Sequence, residues 1–337
     1  MTKHPSKLHF FWLLLAFLPV IVYLCNGNIS QLAYNRMDGK VFGTLYNITY
    51  QYDGNLKPGV EEELQRIDAS LSPFNKESVI TKVNDNIEVK TDLFFRNVFR
   101  RAMEISAETD GAFDITVAPL VNAWNFGFKK EPSPTAPVID SLLQLTGYRK
   151  IRLCNDLVVK QDPRMMITCS AIAKGYASDV VAQFLDRKGI KNYMVNIGGE
   201  IVVKGKNPDR ESWHIGIHKP VDDSLAVNQE IQTLLRLTDV GIATSGNYRN
   251  YYYKDGKKYA HTIDPHTGYP VAHNLLSATV VAKDCMSADA YATAFMVMGV
   301  EKSKNFLDVH PEINACLIFY DEKEGGIQAW YSENIPN

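Results

Sequence analysis

The sequence predicts an α+β fold built on a largely antiparallel sheet with packed helices. Three observations carry this. Apolar runs of strand length are joined by short hairpin turns, helical patterns fall between them irregularly, and no G-x-G-x-x-G opens a helix after a strand, as a dinucleotide-binding parallel sheet would show. At 337 residues, 45% hydrophobic and 22% charged, the chain has an ordinary globular composition with room for a sizeable core. A formal net charge of -2 argues against a protein that holds nucleic acid through an overall basic surface, so small molecules or proteins are the substrates to expect.

Residues 1–27 stand apart as a signal sequence or membrane anchor. Lys3 and Lys7 precede an uncharged run from Phe10 to Cys25. At about 1.5 Å per residue that run reaches roughly 24 Å as a helix, short of the roughly 30 Å hydrocarbon core, so a cleaved signal and a short uncleaved anchor both fit. Cys25 ends the run where a lipoprotein cysteine would sit, although Leu24 before it is bulkier than such signals prefer.

The remaining elements follow in order. MDGKVFGTLYNITYQYDG (37–54) mixes β-branched and aromatic residues between turn signals, and reads as a strand pair or one long strand. GVEEELQRIDASL (59–71) repeats Val60, Leu64, Ile67 and Leu71 at helical spacing. TDLFFRNVFRRAMEISAETDG (91–111) begins with a capping residue, ends at glycine and aligns Phe94, Val98, Ala102 and Ile105, so it is a second helix. KKEPSPTAPVIDS (129–141) is a proline-rich surface loop. SAIAKGYASDVVAQFLDRKG (170–189) is a third helix, followed by a hairpin turning at Gly198 and Gly199. WHIGIH, IQTLLRLT, YYYKDGKKYAHTI with a turn at Asp255 and Gly256, LLSATVVA and INACLIFYDEKEGGIQAWYS supply further strands, and no internal repeat is present.

Five cysteines, at 25, 154, 169, 285 and 316, are scattered without a CxxC pair, which is neither a disulfide framework nor a zinc site. Buried free thiols are expected, with a single Cys154–Cys169 bridge as the alternative.

Four stretches carry more turns and polar groups than a core needs: 110–127, 169–179, 196–205 and 261–270. In the last, Pro265, Gly268 and Pro270 fix a rigid loop around His261, Asp264 and His266. CMSADAYATAFMVMG (285–299) reads as a small-residue helix that sets Asp289 and Thr293 one turn apart on one face. Two readings fit that pair: a helix start, with Ser287 as cap and Asp289 favouring the dipole, or a site. Lys174 sits early in its helix, where a cation opposes the dipole; a phosphate or carboxylate partner would explain it, and simple solvent exposure is the alternative.

The motifs G-A-F-D-I-T-V-A-P-L-V, S-A-I-A-K-G-Y, N-I-G-G-E-I, H-T-I-D-P-H-T-G and S-A-D-A-Y-A-T-A, in this order and after an export signal, resemble the ApbE family of FAD:protein FMN transferases. The resemblance spans about residues 36–332 and implies a T-fold-like domain. It further implies a Mg2+-dependent enzyme that splits FAD and attaches FMN, through its phosphate, to a threonine or serine hydroxyl of a target protein, releasing AMP. The metal would be held by Asp289, Thr293 and the backbone carbonyl of Ala171, and Asp289 thereby counts as catalytic. His261 is the candidate base for the target hydroxyl, the alternative being a histidine that bonds loop backbone or packs on the flavin; His266 is the weaker candidate, while Asp264 stabilises the turn. The FAD site would be lined by Phe42, Trp124, Asn125, Phe126, Thr168, Lys174 and the backbone around Ile263, with Trp124 and Phe126 otherwise readable as core aromatics. Two positions depart from the pattern: Thr168 replaces the usual aspartate, which puts one polar contact to the cofactor in question but not the metal pair, and Phe42 stands where methionine is common. Gly198, Gly199 and Glu200 would shape a hairpin beside the site. The resemblance also implies the bacterial inner membrane, with the catalytic domain facing the periplasm and a membrane redox or respiratory subunit as acceptor. An FAD pyrophosphatase releasing free FMN and a non-catalytic periplasmic FAD-binding protein are the alternatives.

Overall fold

A computed structural model describes residues 33–124, 126, 134–219, 231–247, 251–254 and 257–335. The expected anchor, Asn125, residues 129–133 of the proline-rich stretch and the Asp255–Gly256 turn lie outside the described residues; the rest of that stretch is not the expected surface loop, since Ala136–Leu143 form a helix with Pro137 in its first turn and Ile139 buried. The strands are β1 (Tyr34–Val41), β2 (Thr44–Gln51), β3 (Ile151–Cys154), β4 (Leu157–Lys160), β5 (Tyr193–Ile197), β6 (Glu200–Lys204), β7 (Trp213–His218), β8 (Ile231–Leu237), β9 (Val240–Gly246), β10 (Tyr251–Lys254), β11 (Lys257–Ala260), β12 (Leu275–Ala282), β13 (Asn314–Asp321) and β14 (Gly326–Tyr331). The helices are α1 (Lys57–Leu71), α2 (Val79–Asn84), α3 (Leu93–Glu108), α4 (Ala118–Ala123), α5 (Ala136–Leu143), α6 (Ala173–Arg187) and α7 (Cys285–Val309).

Eight strands form one sheet in the order β1-β2-β5-β6-β9-β12-β13-β14, and every neighbouring pair is antiparallel. The α+β expectation holds. Both faces of the sheet are covered. Ala243, Val280, Ala315 and Leu317 point into the main core with α6 and α7, while the adjoining Ile242, Val281, Cys316 and Ile318 point into a second core beneath β7 and β8. Strands buried on both faces lose the apolar-polar alternation that usually marks an antiparallel sheet. α1 packs on α6 and α3 on α7, adding an outer helical layer.

Several expectations are refined. Val60, Leu64, Ile67 and Leu71 are all buried, as their spacing predicts. In α3, Asp92 caps by accepting from Phe95 N at 2.8 Å, and the buried face centres on Phe95 and Phe99 rather than Phe94, which is half-buried. Ser287 does not cap α7. Asp284 does, accepting from Ser287 N at 2.8 Å, while the Ser287 hydroxyl accepts from Arg101 Nε at 2.9 Å. Asp289 therefore lies beyond the cap, and α7 runs on past a break at Gly299 (φ 76°) to Val309. Cys169, Cys285 and Cys316 are buried thiols, and Cys154 is exposed and free, so no Cys154–Cys169 bridge forms. β9, a central strand, escapes the sequence reading because VGIATSG is built from small and hydroxyl residues of modest strand preference.

Candidate active site

The site is organised by a helix crossing that leaves no room for a side chain. A Cβ on Gly175 would lie 2.2 Å from the carbonyl oxygen of Cys285 and 2.8 Å from Cβ of Asp289, so α6 meets α7 backbone to backbone. This contact redirects a hydrogen bond. Gly175 N donates to Oδ2 of Asp289 at 3.0 Å, whereas an uninterrupted helix would send it to the carbonyl of Ala171, four residues back. The next ladder bond, Tyr176 N to Ile172 O, is intact at 3.1 Å. The Ala171 carbonyl is thus left out of the α6 ladder and can serve a ligand.

Asp289 is only 4% exposed. Burial pushes its carboxyl above the ordinary carboxylate range, opposed by the Lys174 ammonium and the Gly175 amide. Lys174 is ion-paired to Oε1 of Glu200, a carboxylate partner that explains its place in the helix. Burial draws the Lys174 ammonium down, but Asp289 and Glu200 together outweigh it and hold the group above its usual value. The Glu200 carboxyl is raised by burial first and by Asp289 second, against the pull of Lys174. Its Oε2 is buried without a hydrogen-bond partner. Thr293, one turn after Asp289, sets its hydroxyl 3.2 Å from that of Ser245 on β9. Asp179 on α6 accepts from Cys285 N at 2.9 Å and Met286 N at 2.8 Å, tying the start of α7 to α6.

Two tight turns bring further groups to the same end of the sheet. Phe42 (φ 50°) and Gly43 (φ 73°) join β1 to β2, and Gly198 (φ 69°) and Gly199 (φ 110°) join β5 to β6. Gly198 N donates to Leu45 O at 2.9 Å, which sets the turns side by side, with half-buried Phe42 packed against the main core. Glu200 opens β6 directly after this turn, so its carboxylate enters the site instead of only shaping the hairpin.

The 261–270 loop is braced by its own side chains. Asp264 Oδ1 accepts from His266 N at 2.9 Å and lies 3.1 Å from His266 Nδ1, and Thr267 donates to Oδ2 at 3.2 Å. His266 Nε2 lies 2.8 Å from Asp110 O, so both ring nitrogens are engaged in holding the loop. Asp264 is a turn stabiliser, as expected. His261 follows β11 and stands edge-on to Phe126, ring centroids 6.4 Å apart. Trp124 is buried with Leu120, Ile139 and Ile263, and its indole N–H donates to Gly268 O at 2.8 Å. Trp124 and Ile263 thus form the floor of the loop, and Phe126 is its half-buried edge. Thr262 donates to Asn247 Oδ1 at 2.8 Å, two residues beyond Ser245, which ties the loop to the Thr293 end of the crossing. Thr168 turns its hydroxyl to that of Ser170 at 2.9 Å, just ahead of α6.

The profile of the ApbE family matches residues 42–317. The chain belongs to the ApbE family. The FAD:protein FMN transferase of Vibrio cholerae is 38% identical over 280 residues, covering 79% of this chain and 82% of that protein. Its counterpart in Escherichia coli K12 is 36% identical over 316 residues, covering 89% and 88%. Among solved structures, flavin transferase ApbE from Vibrio cholerae has a TM-score of 0.80 at 33% identity, covering 89% of this chain and 97% of that one. The apo flavinyl transferase ApbE of Pseudomonas stutzeri also scores 0.80, at 30% identity and with 91% and 96% coverage.

The α6–α7 crossing offers hard oxygen donors: the Asp289 carboxylate, the Thr293 hydroxyl and the released Ala171 carbonyl. Among the described residues no three His, Cys, Asp or Glu side chains gather to hold a metal. That donor set fits Mg2+, which takes one or two carboxylates and leaves its other positions to water and phosphate. Sequence reasoning missed Gly175, Ser245 and the carboxylate of Glu200. The double glycine before Glu200 drew it into the turn, and only the position of Lys174 pointed to a buried acid.

Proposed function

We propose that this ApbE protein transfers FMN from FAD to a threonine or serine hydroxyl of a target protein, with Mg2+ and with release of AMP. The observation that carries the reading is the α6–α7 crossing, where the buried Asp289 carboxylate faces a helix start whose Ala171 carbonyl is released. The acceptor oxygen bonds to the FMN-side phosphorus, the phosphoanhydride bond to AMP breaks, and AMP leaves with the bridging oxygen. Mg2+ held by Asp289, Thr293 and Ala171 would neutralise the phosphates and stabilise the leaving group. Lys174 steadies the phosphates by charge. His261 takes the proton from the attacking hydroxyl, a role suited to imidazole near neutral pH. Phe42 and Phe126 line the flavin site, Trp124 and the backbone at Ile263 form its floor, and Thr168 makes a polar contact at its rim; Asn125, outside the described residues, is a further candidate cofactor-binding residue. The transferase domain, residues 36–332, would face the periplasm from the inner membrane and modify a membrane redox subunit.

The test is incubation with FAD, Mg2+ and candidate acceptors, followed by a denaturing gel. Covalent flavin fluorescence on the acceptor is expected, and Asp289→Ala should reduce it by roughly 100-fold or more. Free FMN formed equally with and without acceptor would mean FAD hydrolysis, and FAD bound without turnover would mean a binding protein.

A further inference from the structure

Resting on that reading, we propose that Glu200 is a positioning residue that keeps the Lys174 ammonium off Asp289 and so preserves Asp289 for a divalent cation. Lys174 has two buried carboxylates within electrostatic reach and one charge to share. It is bonded to Glu200, and among the described residues no ion pair joins it to Asp289. The chain path explains this choice. Glu200 follows the Gly198–Gly199 turn, and its backbone carbonyl accepts from the Ser178 hydroxyl at 2.8 Å, which fixes it against α6 one turn from Lys174. Its side chain is 4% exposed.

Burying a carboxylate with one oxygen unpartnered is unfavourable, and an amide of the same shape would supply the same acceptor without the charge. The charge itself therefore has a task, which is to compete with Asp289 for the ammonium. When it is removed, Asp289 becomes the remaining buried carboxylate for Lys174, and the ammonium then occupies the group that the cation needs.

The experiment measures FAD binding by flavin fluorescence anisotropy while Mg2+ is titrated, with no acceptor and hence no transfer. Glu200→Gln is expected to raise the Mg2+ concentration for half-saturation by roughly 10–100-fold. Glu200→Asp, which keeps the charge, should stay near the wild type. The decisive variant is Glu200→Gln combined with Lys174→Met: removing the competing ammonium should restore the half-saturation to within about threefold of Lys174→Met alone. A purely structural role would lower the melting temperature without this rescue. The inference is overturned if Glu200→Gln matches the wild type, if Glu200→Asp is as impaired as Glu200→Gln, or if Glu200→Gln raises the Mg2+ half-saturation as much in the Lys174→Met background as in the wild type. Wild-type FAD binding indifferent to Mg2+ would instead sink the proposed function, and the inference with it.

Discussion

At the α6–α7 crossing the groups that matter are buried: Asp289 is 4% exposed and hydrogen-bonded to a backbone amide that a second helix presses against it. In the 261–270 loop comparable groups stand partly in water, with the His266 side chain 55% exposed and Asp264 25%. The crossing is held by packing and sets charge. The loop is held by proline, glycine and an aspartate bonded to its neighbours, and it sets shape. A buried acid is displaced only by moving helices, whereas the loop can be loosened by removing one side chain. In the proposed reaction the first region carries the metal and the second the base, so changes in each should leave different signatures.

The largest effect among these comparisons is expected from His261→Ala. Losing a general base should slow transfer by roughly 100- to 10,000-fold while leaving the Mg2+ half-saturation unchanged. A shift in Mg2+ dependence instead would break the division of labour. Gly175→Ala attacks the other region. Its methyl group must displace the Cys285 carbonyl or Asp289, and a loss of about 1–3 kcal/mol in urea unfolding is expected together with a higher Mg2+ requirement. Full stability and unaltered Mg2+ dependence would show that the close approach is not required.

Asp264→Ala should cost about 1–2 kcal/mol through the loop bonds it removes, and FAD binding should change little at saturating Mg2+. Protection of the loop amides in hydrogen exchange would report the loosening. The smallest effect concerns pH. His273 braces the break in α7, with Nε2 2.9 Å from Met296 O and Nδ1 accepting from Leu275 N at 3.3 Å. Burial holds its imidazole below the ordinary 6.5, so the unfolded chain takes up the proton first. Its contribution is complete above 6.5 and is lost as pH falls towards the folded value. The melting temperature should drop more between pH 7 and pH 5.5 in the wild type than in His273→Gln, and equal slopes would refute the assignment.

The contrast between the regions also explains what could be read from sequence. The loop was legible because Pro265, Gly268, Pro270 and Asp264 act on the chain next to them. Helices α1 and α6 and strands β7 and β12 were legible for the same reason, since spacing is local. The crossing was legible only through Asp289, Thr293 and Lys174, and its remaining parts are long-range facts. Gly175 matters because Cys285 comes near it, and Glu200 enters the site because β5 and β6 turn beside α6. β9 was missed because its two buried faces ask for small residues, which look like loop in isolation.

Anomalous diffraction from a crystal of the protein with Mn2+ and a non-hydrolysable FAD analogue tests the metal assignment most directly. A single peak within coordination distance of the Asp289 carboxylate, the Thr293 hydroxyl and the Ala171 carbonyl is the expected result. A peak elsewhere, with Asp289 still bonded only to Gly175, would contradict it.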